Sequence, residues 1–331
     1  MRRSIRTQAA RRASARLAKS LAWPVPCMHD LVVAFDRWYD TVVRAGSAHQ
    51  RACSRAFGPE QYIGQNGFAR RDDILALGAA VVSRDASRVL DICCGCGAPA
   101  RLLANELGCS VVGVDSSLSA VQQLQRCADE QVTAAVGDAL ELPFQVACFD
   151  AALVLDSVAS ISSVRDLFHE VARVLRPGGA FGWTAETGDP LSAAEQAQFT
   201  RTTPPTVMER GALLQTAREC GFSIVEVYDW SSHTALVAER LFQNISRDRE
   251  LIAAELGVEP LEDLVATLGT LAEMLTSGRL GELAVVARRS GPTSTTRRAD
   301  DAGTILAAPR AAPTRSTETT QCRAQPNALY F

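Results

Sequence analysis

The chain has 331 residues, of which 47% are hydrophobic and 21% are charged. This length and apolar content suffice for one large α/β domain, or two small domains, with a buried core. The purely apolar runs are only a few residues long, whereas a membrane-spanning helix requires about 20 apolar residues, so none is predicted. Ten cysteines are too few for a disulfide scaffold, and we expect a soluble protein of a reducing compartment, the cytoplasm.

The net charge of −3 conceals a gradient along the chain. Residues 1–20 carry +7 and residues 288–331 carry +4, which leaves −14 for residues 21–287. Proteins bind the phosphates of nucleic acids with basic surfaces, so an acidic body argues against nucleic acid as the main partner. We expect a small-molecule partner and a monomer or homodimer.

The two ends differ in composition from the middle. Residues 1–27 are rich in Arg, Ala and Ser, contain no acid, and lack the apolar stretch of a secretory signal. They fit a disordered leader, an organelle transit peptide or a translation start placed too early. Residues 291–331, rich in Thr, Arg, Ala and Pro, are predicted to be disordered. The folded domain is therefore expected over 28–290.

Within this domain, apolar strands alternate with helical stretches, which indicates an α/β fold with a parallel sheet covered on both faces. Residues 28–82 precede the first strand and are predicted to be helical. Residues 231–280 form a helical insertion before the last strand, and their apolar residues recur at helical spacing, so we expect a lid. The predicted strands are 88–93, 110–115, 132–136, 149–155, 180–184, 222–229 and 282–287.

A Gly-rich turn follows the first strand. Gly95 and Gly97 lack side chains where a backbone approaches a ligand, and the next helix offers free N–H groups. Asp115 ends the second strand, where a carboxylate can accept both hydroxyls of a ribose. Asp138 ends the third strand, in position to contact an adenine edge. The alternatives are that Asp91 caps the loop and that Asp115 and Asp138 are solvated strand ends.

Four segments in this order resemble the class I S-adenosylmethionine-dependent methyltransferases. They are Val89-Leu-Asp-Ile-Cys-Cys-Gly-Cys-Gly97, Val112-Gly-Val-Asp115, Gly137-Asp-Ala-Leu-Glu-Leu-Pro-Phe144 and Arg173-Val-Leu-Arg-Pro-Gly-Gly179. Within this class, the sequence resembles the subgroup that includes sarcosine/dimethylglycine N-methyltransferases and ubiquinone/menaquinone C-methyltransferases. The resemblance implies a Rossmann-like, seven-stranded, mostly parallel sheet and S-adenosyl-L-methionine as cofactor. The cofactor-binding residues that it implies are Asp91, Gly95, Gly97, Asp115, Ser116, Asp138, Ala139, Leu155 and Gln65.

The resemblance also suggests catalytic residues. The segment Glu60-Gln-Tyr-Ile-Gly-Gln65 precedes the first strand by about 23 residues. Its Tyr62 would face the sulfonium, and its Gln65 would bond the amino-acid moiety of the cofactor. The alternative for Tyr62 is an ordinary core aromatic residue. His233 follows the sixth strand and would touch the acceptor, unless it caps a helix or lies on the surface.

The sequence departs from the family pattern at two positions. Cys93 stands where the family most often has the first glycine of the loop, and Ser160 stands where some relatives have a histidine. The clustered cysteines lie on a strand and turn where neighbouring side chains diverge, so no metal site is predicted.

These features predict an enzyme that transfers a methyl group from S-adenosylmethionine to a small-molecule acceptor. The alternative is a protein of the same fold that binds the cofactor but acts as a cyclase or binding protein. An NAD-dependent oxidoreductase is a third reading, but the loop lacks the third glycine of the dinucleotide motif.

Overall fold

The computed structural model describes residues 36, 38–40, 47–82, 87–127, 129–199 and 204–291, and the backbone of 305–306. The predictions for residues 1–27 and for nearly all of 291–331 lie outside these residues. No helix of the described part is long and apolar enough to cross a membrane.

A single sheet organises the described residues. Its spatial order is β3-β2-β1-β4-β5-β7-β6-β8, and the first five of these strands run parallel. The strands are β1 (Arg88–Ile92), β2 (Ser110–Asp115), β3 (Val132–Val136), β4 (Phe149–Val154), β5 (Leu175–Thr187), β6 (Phe222–Asp229), β7 (Gly281–Arg289) and the two-residue β8 (Ile305–Leu306).

β7 lies between β5 and β6 and runs antiparallel to both. The predicted seven-stranded, mostly parallel sheet is thereby confirmed, and β8 adds a short parallel pairing at the β6 edge. β5 is longer than the predicted 180–184. Its first residues pair with β4 across a register shift, and its last residues pair with β7, so neighbouring strands extend it at both ends.

Helices cover both faces of the sheet. On one face, α2 (Arg71–Val81), α3 (Ala98–Leu107) and α4 (Leu118–Arg126) pack against a core cluster that includes Ile74, Leu103 and Leu124. On the other face lie α5 (Val164–Val174) and α7 (Arg210–Glu219), packed around Phe168 and Leu213. The short α6 (Ala193–Gln196) follows β5.

A second group of helices packs around its own apolar cluster, beyond the carboxyl ends of the parallel strands. It consists of α1 (Ala48–Phe57), which precedes the sheet in the chain, and of α8 (Ser231–Arg247), α9 (Arg249–Leu256) and α10 (Val258–Thr276) from the insertion. We call these four helices the helical cover. α1, from the segment predicted to be helical before the first strand, thus comes together with the insertion before β7, whereas α2 of the same predicted segment packs on the sheet.

Candidate functional site

Two adjoining cavities lie beyond the carboxyl ends of the parallel strands, where ligands bind in open α/β sheets. The first, which we name the sheet compartment, lies along the ends of β1–β4. The second, the cover compartment, lies between the loop after β1 and the helical cover. Four residues line both compartments, namely Tyr39, Asn66, Cys93 and Asp156.

The loop after β1 turns sharply at this junction. Cys93, Gly95 and Gly97 have positive φ angles of 59°, 52° and 72°. This left-handed conformation favours glycine, which is the physical reason why a cysteine is unusual at position 93. A Cβ on Gly95 would lie 2.7 Å from the Tyr39 hydroxyl, and a Cβ on Gly97 would lie 2.3 Å from Leu124 Cδ1. Gly95 therefore makes room at the cavity wall, whereas Gly97 allows α4 to pack closely.

Asp115 ends β2 and lines the sheet compartment. Its Oδ2 accepts the backbone N–H of Gly95 and its Oδ1 accepts that of Ser117, both at 2.9 Å. Burial raises the pKa of Asp115 more than these hydrogen bonds lower it. Each carboxylate oxygen can accept more than one hydrogen bond, so Asp115 can still bind hydroxyl groups of a ligand.

Asp91 lies on β1 and lines the cover compartment. It is almost completely buried, and its Oδ2 has no hydrogen-bond partner among the residues that the structure describes. Burial, and then the charge of Asp115, raise the pKa of Asp91 to about 7. An isolated buried carboxylate is costly, and a ligand that brings an ammonium group would supply the partner it lacks.

Further carboxylates stand in the wall of the sheet compartment. Ser116, Asp138 and Ala139 line it, so all three residues predicted there from the sequence are brought together with Asp115. With Asp156, three carboxylates face this compartment. Within the described part of the chain no Lys or Arg lines it. Such a wall does not suit the pyrophosphate of a dinucleotide, which proteins bind with cationic or N–H donors.

A short helical segment before α1 closes the junction between the compartments. Gln123 Nε2 donates to the backbone oxygen of Tyr39 at 2.7 Å, and Asp36 accepts the hydroxyl of Ser117 at 2.5 Å. The Tyr39 hydroxyl is hydrogen-bonded to Asn66, and burial raises the pKa of this phenol well above its ordinary value. The position of Tyr39 at the cavity could not be predicted from the sequence, because no motif connects this residue to the loop that it covers.

Asp156 fixes the loop that precedes α2. Its Oδ2 accepts the backbone N–H groups of Phe68 and Ala69, both at 2.9 Å, and its Oδ1 accepts the hydroxyl of Thr184 at 3.0 Å. Gly67 permits this approach, since a Cβ there would lie 2.3 Å from Asp156 Oδ2. Burial raises the pKa of Asp156 more than these hydrogen bonds lower it. The bonds occupy both carboxylate oxygens, so Asp156 holds the loop in place.

Gln65, predicted to bind the cofactor, lines the cover compartment, but its side chain is used within its own loop. Its Nε2 donates to the carbonyl oxygens of Gln61 and Ala69 at 3.0 and 2.9 Å, and its Oε1 accepts the N–H of Ile63 at 2.7 Å. These bonds satisfy both donors and one acceptor position of the amide. Gln65 therefore stabilises the loop at the cavity wall through hydrogen bonds within that loop.

Tyr62 and Leu155 also line the cover compartment. The Tyr62 ring lies 5.5 Å from the ring of Phe57, and its hydroxyl is hydrogen-bonded to Cys53 of α1. Burial raises the pKa of Tyr62 far above its ordinary value, so the phenol is neutral. Tyr62 thus joins the loop before α2 to the helical cover.

Three helices of the cover each present a pair of residues one turn apart to the cover compartment. This spacing places both members of a pair on one helix face. Helical spacing does not distinguish a core face from a cavity wall, so these six residues could not be predicted from the sequence as site residues. The pairs are His49 and Cys53 on α1, Leu241 and Ile245 on α8, and Leu264 and Leu268 on α10.

His233 is placed differently from the sequence prediction. It lies in the first turn of α8, with Nε2 3.2 Å from Asp73 Oδ2 of α2 and its ring 5.6 Å from that of Trp230. Burial raises the pKa of Asp73, but Arg70 and His233 outweigh it and bring that pKa to about 2. His233 lines neither compartment, because the first turn of α8 packs against α2.

The cysteines near the loop do not form a metal site. Among the described residues no group of three or more His, Cys, Asp or Glu side chains is arranged to hold a metal ion. Burial raises the thiol pKa of Cys94 well above its ordinary value and that of Cys96 to about 12, so both are neutral thiols.

Comparison with known proteins identifies the class of this domain. Residues 89–179 match the methyltransferase domain family. A sterol 24-C-methyltransferase of Schizosaccharomyces pombe is 26% identical over 50% of this chain and 47% of its own length. An O-methyltransferase of Aspergillus sclerotiorum is 27% identical over 60% of this chain and 76% of its own. The chain thus spans about half the length of the sterol enzyme.

The fold is also similar to that of a solved phosphoethanolamine N-methyltransferase 2 of Haemonchus contortus in complex with S-adenosyl-L-methionine. The TM-score is 0.61 at 23% identity, over 77% of this chain and 60% of the other. The resemblance to the class I S-adenosylmethionine-dependent methyltransferases is confirmed: residues 89–179 match a methyltransferase domain, and a protein solved with S-adenosyl-L-methionine has a similar fold. The partnerless oxygen of Asp91 and the acidic sheet compartment without cationic side chains fit this cofactor, which has an ammonium group and a ribose but no phosphate.

Proposed function

We propose that this protein transfers a methyl group from S-adenosylmethionine to a small-molecule acceptor. The observation that carries the proposal is the meeting of the two compartments at Tyr39, Asn66, Cys93 and Asp156. One compartment suits a nucleoside and the other an organic acceptor. A sulfonium at the junction would therefore face the acceptor.

In this proposal the residues of the junction bind, orient and exclude water. Asp115 accepts the ribose hydroxyls, Asp138 and Ala139 contact the adenine edge, and Asp91 pairs with the ammonium group. The bound cofactor supplies an activated methyl group, so positioning provides most of the acceleration. Tyr62 walls the space where the acceptor would approach. Ser116 completes the wall of the sheet compartment, and Gly95 and Leu155 complete the wall of the cover compartment.

The acceptor is a small molecule rather than a macromolecule in this proposal, because the cover compartment is enclosed by helices. The names of the relatives do not agree on one acceptor, since they include a sterol and phosphoethanolamine. The acidic body disfavours nucleic acid, and a monomer or homodimer of the cytoplasm remains our proposal. Eight described cysteines are free thiols, which supports a reducing compartment.

Calorimetric titration of the full chain with S-adenosylmethionine, S-adenosylhomocysteine and NAD tests the proposal. We expect saturable binding of the first two ligands and none of NAD. Asp115→Asn should weaken binding of S-adenosylhomocysteine at least tenfold, because charge-assisted hydrogen bonds contribute about 1.5–3 kcal/mol each. The exposed Asp166→Asn variant is the control for the amide substitution.

Mass spectrometry then separates methyl transfer from the cyclase or binding alternative. The protein is incubated with deuteromethyl-labelled S-adenosylmethionine and a small-molecule extract of the source cells. A labelled product with stoichiometric S-adenosylhomocysteine supports a methyltransferase. Cofactor binding without either product would instead favour a non-transferring protein of the same fold.

A further inference from the structure

The face that the helical cover presents to the cover compartment is largely apolar, and the carboxylates of this compartment lie on the other side. The face formed by the helical cover presents Phe57, Leu241, Ile245, Leu264 and Leu268, together with aromatic and weakly polar side chains. The carboxylates that line this compartment, Asp91 and Asp156, both belong to the sheet edge. No Lys or Arg within the described residues lines either compartment. An anionic acceptor would therefore lose its hydration without gaining a cationic partner.

One side chain on the helical-cover face carries an imidazole. His49 is 6% exposed and lines the compartment from α1. Its ring nitrogens lie 3.7 and 3.9 Å from Cys53 Sγ, one turn further along the helix. The ring of Trp38 packs edge-on against the imidazole, with centroids 5.7 Å apart. These contacts hold the imidazole at the wall of the compartment.

A carboxylate lies behind this histidine. Glu255 of α9 accepts the backbone N–H of Ala48, with both carboxylate oxygens 2.8 Å away. Its charge raises the pKa of His49, although burial acts more strongly and lowers that pKa to about 4. The free imidazole is consequently neutral at physiological pH and has a lone pair to accept a proton. A charged imidazolium would be stabilised by Glu255, which lines neither compartment.

We propose, on the basis of the function proposed above, that the acceptor is an uncharged, largely apolar molecule with a nucleophilic hydroxyl group, and that His49 is its general base. The acceptor oxygen forms the new bond to the methyl carbon. The carbon–sulfur bond breaks, and its electron pair stays on sulfur, which becomes a neutral thioether. The hydroxyl proton passes to the lone pair of the His49 ring and leaves to solvent when the product departs.

This assignment fills a gap that the sequence motifs leave. The position at which some relatives have a histidine after β4 is occupied by Ser160, which lines the sheet compartment. A hydroxyl acceptor benefits from a base, whereas an amine needs only to arrive deprotonated. His49 comes instead from α1, a helix before the sheet, and lines the cover compartment.

The first test measures whether the cover compartment prefers neutral, anionic or cationic ligands. Two skeletons, naphthalene and a ten-carbon terpene, are each supplied as alcohol, phosphate monoester and primary amine. Binding is measured by displacement of the neutral dye N-phenyl-1-naphthylamine from protein saturated with S-adenosylhomocysteine. We expect an alcohol to displace the dye at a concentration at least tenfold lower than its phosphate or amine counterpart. Equal or tighter binding of a charged counterpart, or no displacement by either alcohol, would overturn the proposed acceptor class.

The second test concerns the role of His49. For the best alcohol, His49→Ala and His49→Gln should lower turnover at least a hundredfold, since a general base contributes about 10²–10⁴ in rate. S-adenosylhomocysteine affinity should stay within threefold, and imidazole should restore part of the activity of His49→Ala. The matched control is His169→Ala on the exposed face of α5. Turnover within threefold of wild type in a folded His49→Gln variant, or methylation of the amines but not the alcohols, would exclude His49 as the base.

The two proposals fail in different ways. Loss of S-adenosylhomocysteine binding by the wild-type chain would refute the methyltransferase function itself. Retained cofactor binding with the wrong charge preference or with active His49 variants would refute only the acceptor class and the base.

Discussion

At the scale of single residues, the carboxylates around the site differ in how their charges are satisfied. Asp115 and Asp156 accept backbone N–H groups and therefore have structural partners before any ligand arrives. Asp91 has one oxygen without a partner within the described chain, although it is the most deeply buried of the three. The difference makes Asp91 the residue whose ionisation depends most on the ligand.

We expect binding of S-adenosylhomocysteine to strengthen as the pH rises from 6 to 8. The pKa of Asp91 is raised to about 7 in the free protein, so at pH 6 most of this carboxyl is protonated and must ionise to pair with an ammonium group. Affinity should fall by up to tenfold per pH unit below 7. Calorimetry at several pH values measures this dependence.

The variant Asp91→Asn isolates this effect. It should bind S-adenosylhomocysteine at least tenfold more weakly at pH 8 and should lose the dependence between pH 6 and 8. A pH dependence that persists in Asp91→Asn would assign it to another group, with Asp115 as the nearest charged neighbour.

At the scale of elements, the helical cover combines segments from distant parts of the chain. α1 precedes β1, whereas α8–α10 follow β6, and they share one apolar cluster. The segment around Tyr39 is attached separately, through α4, to the loop side of the sheet. The cofactor and acceptor sides of the cavity are therefore closed by different contacts.

Removing the contact between α4 and the Tyr39 segment should speed cofactor release. In Gln123→Ala the hydrogen bond from Gln123 Nε2 to the Tyr39 backbone oxygen is lost, so the segment should open more often. We expect S-adenosylhomocysteine to dissociate about threefold to tenfold faster, as one buried hydrogen bond contributes about 0.5–1.5 kcal/mol. Stopped-flow displacement measures this rate.

The control is Gln125→Ala on the same helix, where the lost hydrogen bond is to Ala134 of β3. Its dissociation rate should match the wild type. Equal acceleration in both variants would mean that the effect comes from α4 itself and not from the segment around Tyr39.

At the scale of the whole molecule, the sheet encloses two carboxylates that face each other. Glu186 of β5 and Glu282 of β7 are paired across the antiparallel ladder; Glu282 is buried and Glu186 is half-buried. Three of their four oxygens have no hydrogen-bond partner within the described residues. Burial, and then the charge of Asp156, raise the pKa of Glu186 to about 7, while burial, and then the charge of Glu186, raise the pKa of Glu282 well above its ordinary value.

The protein should lose stability as the pH rises above about 5. The folded state binds protons at this pair more tightly than the unfolded chain, whose Glu pKa is about 4.3. Its stabilising effect is therefore complete below that value and is lost as the pH rises through 7. The loss is at most about 1.4 kcal/mol per pH unit for each group that ionises.

Glu186→Gln keeps the shape of the pair but removes one ionisation. Urea unfolding at pH 5.5 and 8.5 should show a smaller loss of stability in this variant than in wild type. The exposed Glu130→Gln variant should follow the wild type at both pH values. Identical pH dependence in Glu186→Gln would show that the pair does not control it.

The sheet and the loop carboxylates were predictable because short segments define them. Asp91, Asp115 and Asp138 stand at the ends of apolar strands, and parallel strands bring such ends to one edge. The placement of His233 outside both compartments could not be predicted, because it depends on the packing of the first turn of α8 against Asp73. His49 was missed because its position at the cavity depends on α1 packing with α8, far away in the sequence.

The shared position of Tyr39 has a kinetic consequence. Since this residue walls both compartments, the cofactor can exchange only when a wall of the acceptor's own space is displaced. While an acceptor or product fills the cover compartment, S-adenosylmethionine or S-adenosylhomocysteine could then not leave the sheet compartment. The enzyme should follow an ordered sequence, in which the nucleoside enters first and leaves last, and excess acceptor should inhibit turnover by forming a dead-end complex with S-adenosylhomocysteine.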